Sequence, residues 1–283
     1  MSISFSEFSQ RHSCKDLARL FDFYTVFEGF EEAEFCEDLS QSIRVNLLEN
    51  YAKIKADLEF DKDTNFALLM LAKNKLKRYS INRKLGHFKA QSIVNSLLNS
   101  GILSLEKSLE TKPTLSKGQR LKKCLKNYTI QDKLVFKDNF TRFFFRFLKP
   151  NEDLIKAKEF DRVLELIFKD FEHYQSLCFE LLSKELLQKK FSLKQVSSFW
   201  QRDIELDLYY KDEDLCLLGE VKFKNRKICK NIFNLLQGKA RALNIKPDFY
   251  IIFSKSGFSN EFERKKERNL LLFELDDCKE LLL

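Results

Sequence analysis

Five apolar-alternating segments crowd the last third of the chain, at 194–201, 203–210, 214–224, 248–254 and 270–275, with one helical stretch at 227–244. Short turns join antiparallel strands, whereas a helix crossover joins parallel ones, so this order specifies an α/β unit with a mixed sheet. Upstream the pattern changes. Seven Gly and three Pro in 283 residues leave few tight turns, and the periodic runs before residue 190 are helical. The expected class is α+β or α/β, with a helical N-terminal half followed by a mixed sheet flanked by helices. A chain of this length can bury more than one core. Three segments are expected: a helical 1–63, a basic 64–151 and a sheet-bearing 152–283.

With 44% hydrophobic and 33% charged residues the chain lies outside the disordered class. Its seven cysteines, at 14, 36, 124, 178, 216, 229 and 278, include no C-x-x-C pair. That spacing argues against a zinc knuckle or a disulfide framework and for reduced thiols. No run approaches the roughly 18 apolar residues of a membrane helix, and the N-terminus lacks the basic and apolar regions of a signal peptide. A soluble, cytoplasmic protein with no membrane partner is the expectation.

Net charge is +8, but residues 64–126 hold fourteen Lys and Arg against only Glu106 and Glu110, so this segment carries +12 and the rest sums to −4. A positive field confined to one segment suits phosphate backbones, and it also suits a merely solubilising face. Within it, Asp61 and Thr64 can cap the apolar run 66–72. Two shorter helices then end at Gly86 and Gly101. Strands at 102–105 and 125–130 would bracket a basic loop at 111–124. The whole resembles a winged helix. In that arrangement Lys89, Gln91, Ser92 and Asn95 face a groove, and Lys117, Arg120, Lys122, Lys123 and Lys126 neutralise phosphates. Winged helices also serve as protein adaptors, so DNA and a protein partner are both expected candidates. The Phe-rich run 138–150 carries Arg142 and Arg146 at i, i+4, which could stack on bases. Five Phe within eight residues read better as core.

Alternation decides which polar side chains share a face of each strand. Ile204, Leu206 and Leu208 form one side of 203–208, leaving Asp203, Glu205 and Asp207 on the other. Leu215, Leu217, Val221 and Phe223 form one side of 215–223, leaving Glu220, Lys222 and Lys224 opposite. If these strands are neighbours, Asp207, Glu220 and Lys222 converge. Two close carboxylates repel unless a divalent cation sits between them, and hard oxygen donors select Mg²⁺ or Mn²⁺. A lysine beside them suits an attacking water and a charged phosphate. A bare acid-x-Lys is cheap here, recurring at Glu110/Lys112, Glu263/Lys265 and Asp277/Lys279. A cross-strand salt-bridge ladder would use the same residues.

The blocks Cys178 to Leu187, Ser198 to Leu208 and Leu218 to Phe223 resemble the PD-(D/E)xK nuclease core. More narrowly, with Tyr128 to Asp132 and Phe143 to Pro150 upstream, residues 64–276 resemble the domain of unknown function that ends many prokaryotic DExx-box ATPases. This resemblance implies a restriction-endonuclease-like sheet behind a winged helix, with Glu180 as the helix acid, Asp207 and Glu220 as metal ligands, and Lys222 as the catalytic lysine. It implies a structural role for Trp200 and leaves Asp203 and Glu205 as weaker candidates. The helix 227–244 offers Gln237 and Lys239 toward substrate, although polar residues on a helix surface are usually only solvated. No G-x-x-x-x-G-K-[ST] occurs in the sequence, so the ATPase module of those proteins and its nucleotide cofactor are not expected. The function these readings imply is Mg²⁺- or Mn²⁺-dependent cleavage of DNA. The alternatives are a catalytically inactive DNA-binding or regulatory protein, and an accessory module of a separate ATPase that docks through the acidic 28–38.

Overall fold

The computed structural model describes residues 3–12, 16–111, 120, 128–264 and 267–282. Helices Phe5–His12, Leu17–Phe27, Leu39–Ile43 and Tyr51–Asp57 form the first part of the helical half. Three further helices follow, Lys62–Ala72, Tyr79–Leu85 and His87–Asn99. Asp61 caps the first of these, its carboxylate accepting from the Asp63 and Thr64 amides. Gly86 and Gly101 hold φ of 77° and 79°, left-handed values that stop the next two where a side chain would be strained. A two-stranded antiparallel sheet closes the set, β1 (Leu103–Glu106) against β2 (Lys133–Phe136). Of the expected second strand at 125–130, residues 125–127 lie outside the described residues. Residues 128–130 form no strand, and the partner of β1 begins at Lys133, whose alternating Leu134 turns inward to the core.

The Phe-rich segment is core. Asp138 caps helix Asn139–Phe143 through the Thr141 amide, and a wider turn, Phe144–Leu148, carries the chain on. Phe143, Phe144 and Phe145 are fully buried, and each such ring is worth roughly 1.5–3 kcal/mol to folding. Arg142 is buried as well. Its guanidinium lies 4.0 Å from the Tyr174 ring centre and donates to the Tyr174 carbonyl and the Cys178 thiol. Neither these rings nor Arg142 can meet a base.

From Phe160 to Lys190 one long helix crosses the molecule and leads into the second sheet. Its strands are β3 (Ser197–Gln201), β4 (Ile204–Lys211), β5 (Cys216–Lys222), β6 (Phe249–Ser254) and β7 (Leu270–Glu274), in spatial order 3-4-5-6-7. The pairs β3–β4 and β4–β5 are antiparallel; β5–β6 and β6–β7 are parallel. Helix Asn231–Ala242 makes the crossover from β5 to β6 and packs Phe233 on Tyr250. The long helix covers the opposite face, with Phe179 against Phe223 and Phe253. Phe21 of the N-terminal helices touches Phe179 and Phe223 too. A continuous apolar core thus runs from Phe5 to Leu281. Central strand β5 is buried along all but its last residue.

Gly219 sits where three strands approach most closely. A Cβ there would lie 2.9 Å from Leu208 Cβ and 3.0 Å from the Ile251 carbonyl. Gly219→Ala should therefore lower stability by about 1–3 kcal/mol in urea denaturation, through overpacking. A variant as stable as the parent would contradict this packing.

Candidate active site

A fault in the sheet places Asp207. β4 pairs with β3 as Phe199↔Leu206 and then as Ser197↔Tyr209, so β4 carries one residue more than its neighbour over this interval. Such a bulge bends a strand and breaks its alternation. Leu206 consequently joins the core under helix Asn231–Ala242, whereas Leu208 joins the core beneath the long helix. The single apolar face expected for Ile204, Leu206 and Leu208 does not exist. Asp203 drops out of the site, lying exposed in the two-residue turn between β3 and β4.

Beyond the bulge the β4–β5 ladder ends at Leu208↔Gly219. The next inward amide of β5, Val221 N–H, donates instead to Asp207 Oδ2 at 2.8 Å. The two strands fork here, and the fork gathers the charged side chains. Lys222 Nζ lies 2.6 Å from Glu220 Oε1 and 3.9 Å from Asp207 Oδ2. Lys239 reaches Glu220 Oε2 at 2.5 Å from helix Asn231–Ala242. The sequence leaves Lys239 facing substrate or solvated; the crossover that stacks its helix on β5 brings it to Glu220.

Across the fork stands the long helix. Glu180 Oε1 accepts from Lys184 Nζ at 2.8 Å and from Ser198 Oγ at 3.0 Å. Lys184 also donates to Ser198 Oγ at 2.7 Å. Glu106, from β1, accepts the Ser198 amide and lies 3.8 Å from Lys184. This network ties the first sheet to the second. Glu180, Asp207 and Lys222 line one cleft of about 590 Å³, closed on its other side by Lys75, Lys77 and Lys133 from the basic part of the chain. Glu205 lines it as well, ion-paired to Lys133, whose Nζ sits 4.4 Å above the Trp200 ring. Trp200 is buried and donates its indole N–H to the Gln131 carbonyl, as a structural residue would.

Electrostatics follow from this crowding. Burial, with the Glu220 and Glu180 carboxylates nearby, pushes the Asp207 carboxyl up to about 7, against the opposing pull of Lys222 and the Val221 amide. Burial disfavours the Lys222 ammonium, but Glu220 and Asp207 outweigh it and raise its pKa, so Lys222 stays protonated at neutral pH. Lys184 behaves alike, burial being outweighed by Glu180 and Glu106. Among the described residues no three His, Cys, Asp or Glu cluster as a metal cage. A magnesium ion does not need one. It keeps several waters and uses one or two carboxylates plus substrate oxygens. Asp207 and Glu220 fit that donor set: burial chiefly, and then the neighbouring carboxylates, raise Asp207, and a cation would offset both.

Of the residues expected to meet nucleic acid, Lys89, Gln91, Ser92 and Asn95 all lie on helix His87–Asn99. Lys89 is ion-paired to Asp63, and Gln91 bonds Arg78 and, at 2.7 Å, Asn95. Ser92, Asn95 and Arg120 are exposed. Lys117, Lys122, Lys123 and Lys126 lie outside the described residues. None of the cleft lining comes from helix His87–Asn99. Sequence reasoning missed Lys184, Ser198, Glu106, Lys133 and the role of Lys239. Only Lys184 left a signal, four residues after Glu180 on one helix face.

Residues 144–232, which contain Glu180, Asp207, Glu220 and Lys222, match the family DUF234, described as archaeal and bacterial proteins of unknown function. An uncharacterized protein, MJECL04, of Methanocaldococcus jannaschii is 32% identical over 154 residues, covering 50% of this chain and 34% of that relative. The chain thus matches about a third of that relative's length. No solved structure gives a significant match. Among the described residues no helix is long and apolar enough to cross a membrane.

The raised carboxyl sets a pH dependence. Folded Asp207 keeps its proton to about pH 7 and unfolded Asp to about 4, so the folded state binds more protons between these values. Its contribution to stability therefore falls as pH rises through that window. In metal-free protein, Asp207→Asn should melt several degrees above wild type at pH 8, at roughly 2–4 °C per kcal/mol for this size, and match it near pH 4. Equal melting at both pH values would contradict the raised carboxyl.

Proposed function

We infer that the cleft hydrolyses phosphodiester bonds of DNA with the help of Mg²⁺ or Mn²⁺. The observation that carries this reading is the fork itself: Asp207 and Glu220 on neighbouring strands, Lys222 Nζ 3.9 Å from one and 2.6 Å from the other, and Asp207 and Lys222 opening to a lysine-lined cleft with the buried Glu220 behind them. Asp207 and Glu220 would hold the ion, which when bound polarises the phosphoryl oxygen and supplies a water acidic enough to attack. Lys222 is charged in its carboxylate setting, so its part is to donate to a phosphate oxygen and counter developing charge. Glu180, fixed by Lys184 and Ser198, faces the same space and is positioned to orient the water. On this reading the three helices and two-stranded sheet from Lys62 to Phe136 form a winged helix for DNA binding. The C-terminal sheet is of the restriction-endonuclease-like kind.

A second reading draws on Glu220, whose two oxygens are both taken by lysines. A site closed in this way serves a DNA-binding or regulatory protein, or an accessory module of a separate ATPase, without turnover.

Plasmid nicking and end-labelled oligonucleotide cleavage, with and without Mg²⁺ or Mn²⁺, separate the two. Metal-dependent cleavage should fall at least about 100-fold in Asp207→Ala and Lys222→Ala. Wild type no better than both variants across metals and substrates would overturn the enzyme reading. Salt-steep binding without cleavage, weakened by neutralising Lys122, Lys123 and Lys126, would favour the second. Each lysine removed from a phosphate should flatten the log–log salt slope by about 0.9.

A further inference from the structure

The cleft does not end at the fork. Lys77 lines both it and a neighbouring pocket of about 340 Å³, whose other walls include Tyr79, Tyr128 and Trp200. The two spaces meet at Lys77 beside the Lys133–Trp200 stack, Lys133 lining one and Trp200 the other. We propose that this joined groove holds a single strand of DNA, its phosphates on Lys224, Lys75 and Lys77 and an unpaired base stacked on Tyr79. The proposal rests on the hydrolytic reading of the same cleft and names the form of DNA that enters it.

Three observations carry it. The first is free charge. Of the acids lining the cleft, Glu205 is paired with Lys133, Glu180 and Glu106 with Lys184, and Asp207 sits within reach of Lys222. Among the described residues Glu172 is the one lining acid without an ion pair, whereas Lys75, Lys77 and Lys224 have none either. With Lys133, Lys184 and Lys222 the lining holds six lysines against five acids, a narrowly positive balance whose free cations are Lys75, Lys77 and Lys224.

The second is an aromatic with nothing on it. Tyr79 is 57% exposed at the start of its helix and meets no other ring among the described residues, although most aromatic rings of this chain pack against another. Tyr128 beside it is held through its hydroxyl, which donates to Glu110 Oε2 at 2.5 Å and accepts the Arg202 amide at 3.1 Å. Tyr128 is thus a fixed wall, and Tyr79 is the open platform. A base can stack on such a ring only when it is out of its own duplex.

The third is size. About 590 Å³ is the volume of a small-ligand pocket, enough for the phosphate and sugar of one flexible strand. A scissile phosphate of a flexible strand can reach Lys222 and Asp207 at the fork. An intact duplex would have to open first.

Fluorescence anisotropy in EDTA, which prevents cleavage, tests this with labelled oligo-dT and a blunt mixed-sequence duplex of equal length, using the whole chain. Oligo-dT should bind about tenfold more tightly than the duplex. Tyr79→Ala should weaken oligo-dT binding about tenfold, the effect of losing one stacked base, and Tyr79→Phe should restore it. Lys77→Glu should weaken binding and flatten its salt dependence. Circular dichroism melts of these surface variants, expected to match wild type, keep folding out of the comparison. Duplex bound as tightly as oligo-dT, or Tyr79→Ala and Lys77→Glu both without effect, would overturn the proposal. Oligo-U bound tenfold better than oligo-dT would overturn its assignment to DNA. Strand binding as described with no cleavage when Mg²⁺ is added would leave the groove standing and remove the hydrolytic reading. Cleavage of intact duplex without strand preference would do the reverse.

Discussion

The parting of β4 from β5 is the constraint on which the site depends. Up to Leu208↔Gly219 the two strands are locked, and Gly219 lets β4, β5 and β6 approach where any side chain would collide. Past that point β5 still has an amide to satisfy, and an unpaired buried amide is costly. The Asp207 carboxylate accepts it. One hydrogen bond thereby fixes an acid at the mouth of the fork, next to Glu220 and Lys222 at the end of β5.

Charge balance then shapes the rest. Three carboxylates, Glu180, Asp207 and Glu220, converge from a helix and two strands, and burial, with the repulsion of the other two, keeps Asp207 protonated to higher pH than usual. Lysines supply part of the compensation. Lys222 and Lys239 hold Glu220, and Lys184 holds Glu180 while also reaching Glu106 from the other half of the molecule. Lys133 repeats the device, binding Glu205 from β2. The basic part of the chain is thus joined to the sheet by ion pairs at the edge of the cleft, above a continuous apolar core. Asp207 is the member of the cluster least well compensated, since its lysine stands 3.9 Å away.

Much of this was legible in the sequence, and the exceptions share a cause. The five strands of the sheet fall within about two or three residues of where alternation puts them, and Gly86 and Gly101 end their helices as expected. Asp207, Glu220 and Lys222 do meet, and Glu180 does face them. The bulge at Asp207 was not legible, because Leu206 and Leu208 are both apolar and look the same whether they share a face or divide two cores between them. The strand Lys133–Phe136 is displaced from the expected 125–130 because both stretches are apolar and β-prone; only pairing with β1 chooses between them. Lys239, Lys133 and Glu106 meet their partners across folded layers, and no local spacing encodes that.

Diffraction from crystals grown with Mn²⁺, measured at the manganese absorption edge, tests the central claim most directly. The account predicts an anomalous peak between the carboxylates of Asp207 and Glu220, with Lys222 or Lys239 turned away from Glu220 and no peak in Asp207→Ala crystals. A fork that stays closed by both lysines, with no manganese at these carboxylates, would contradict it.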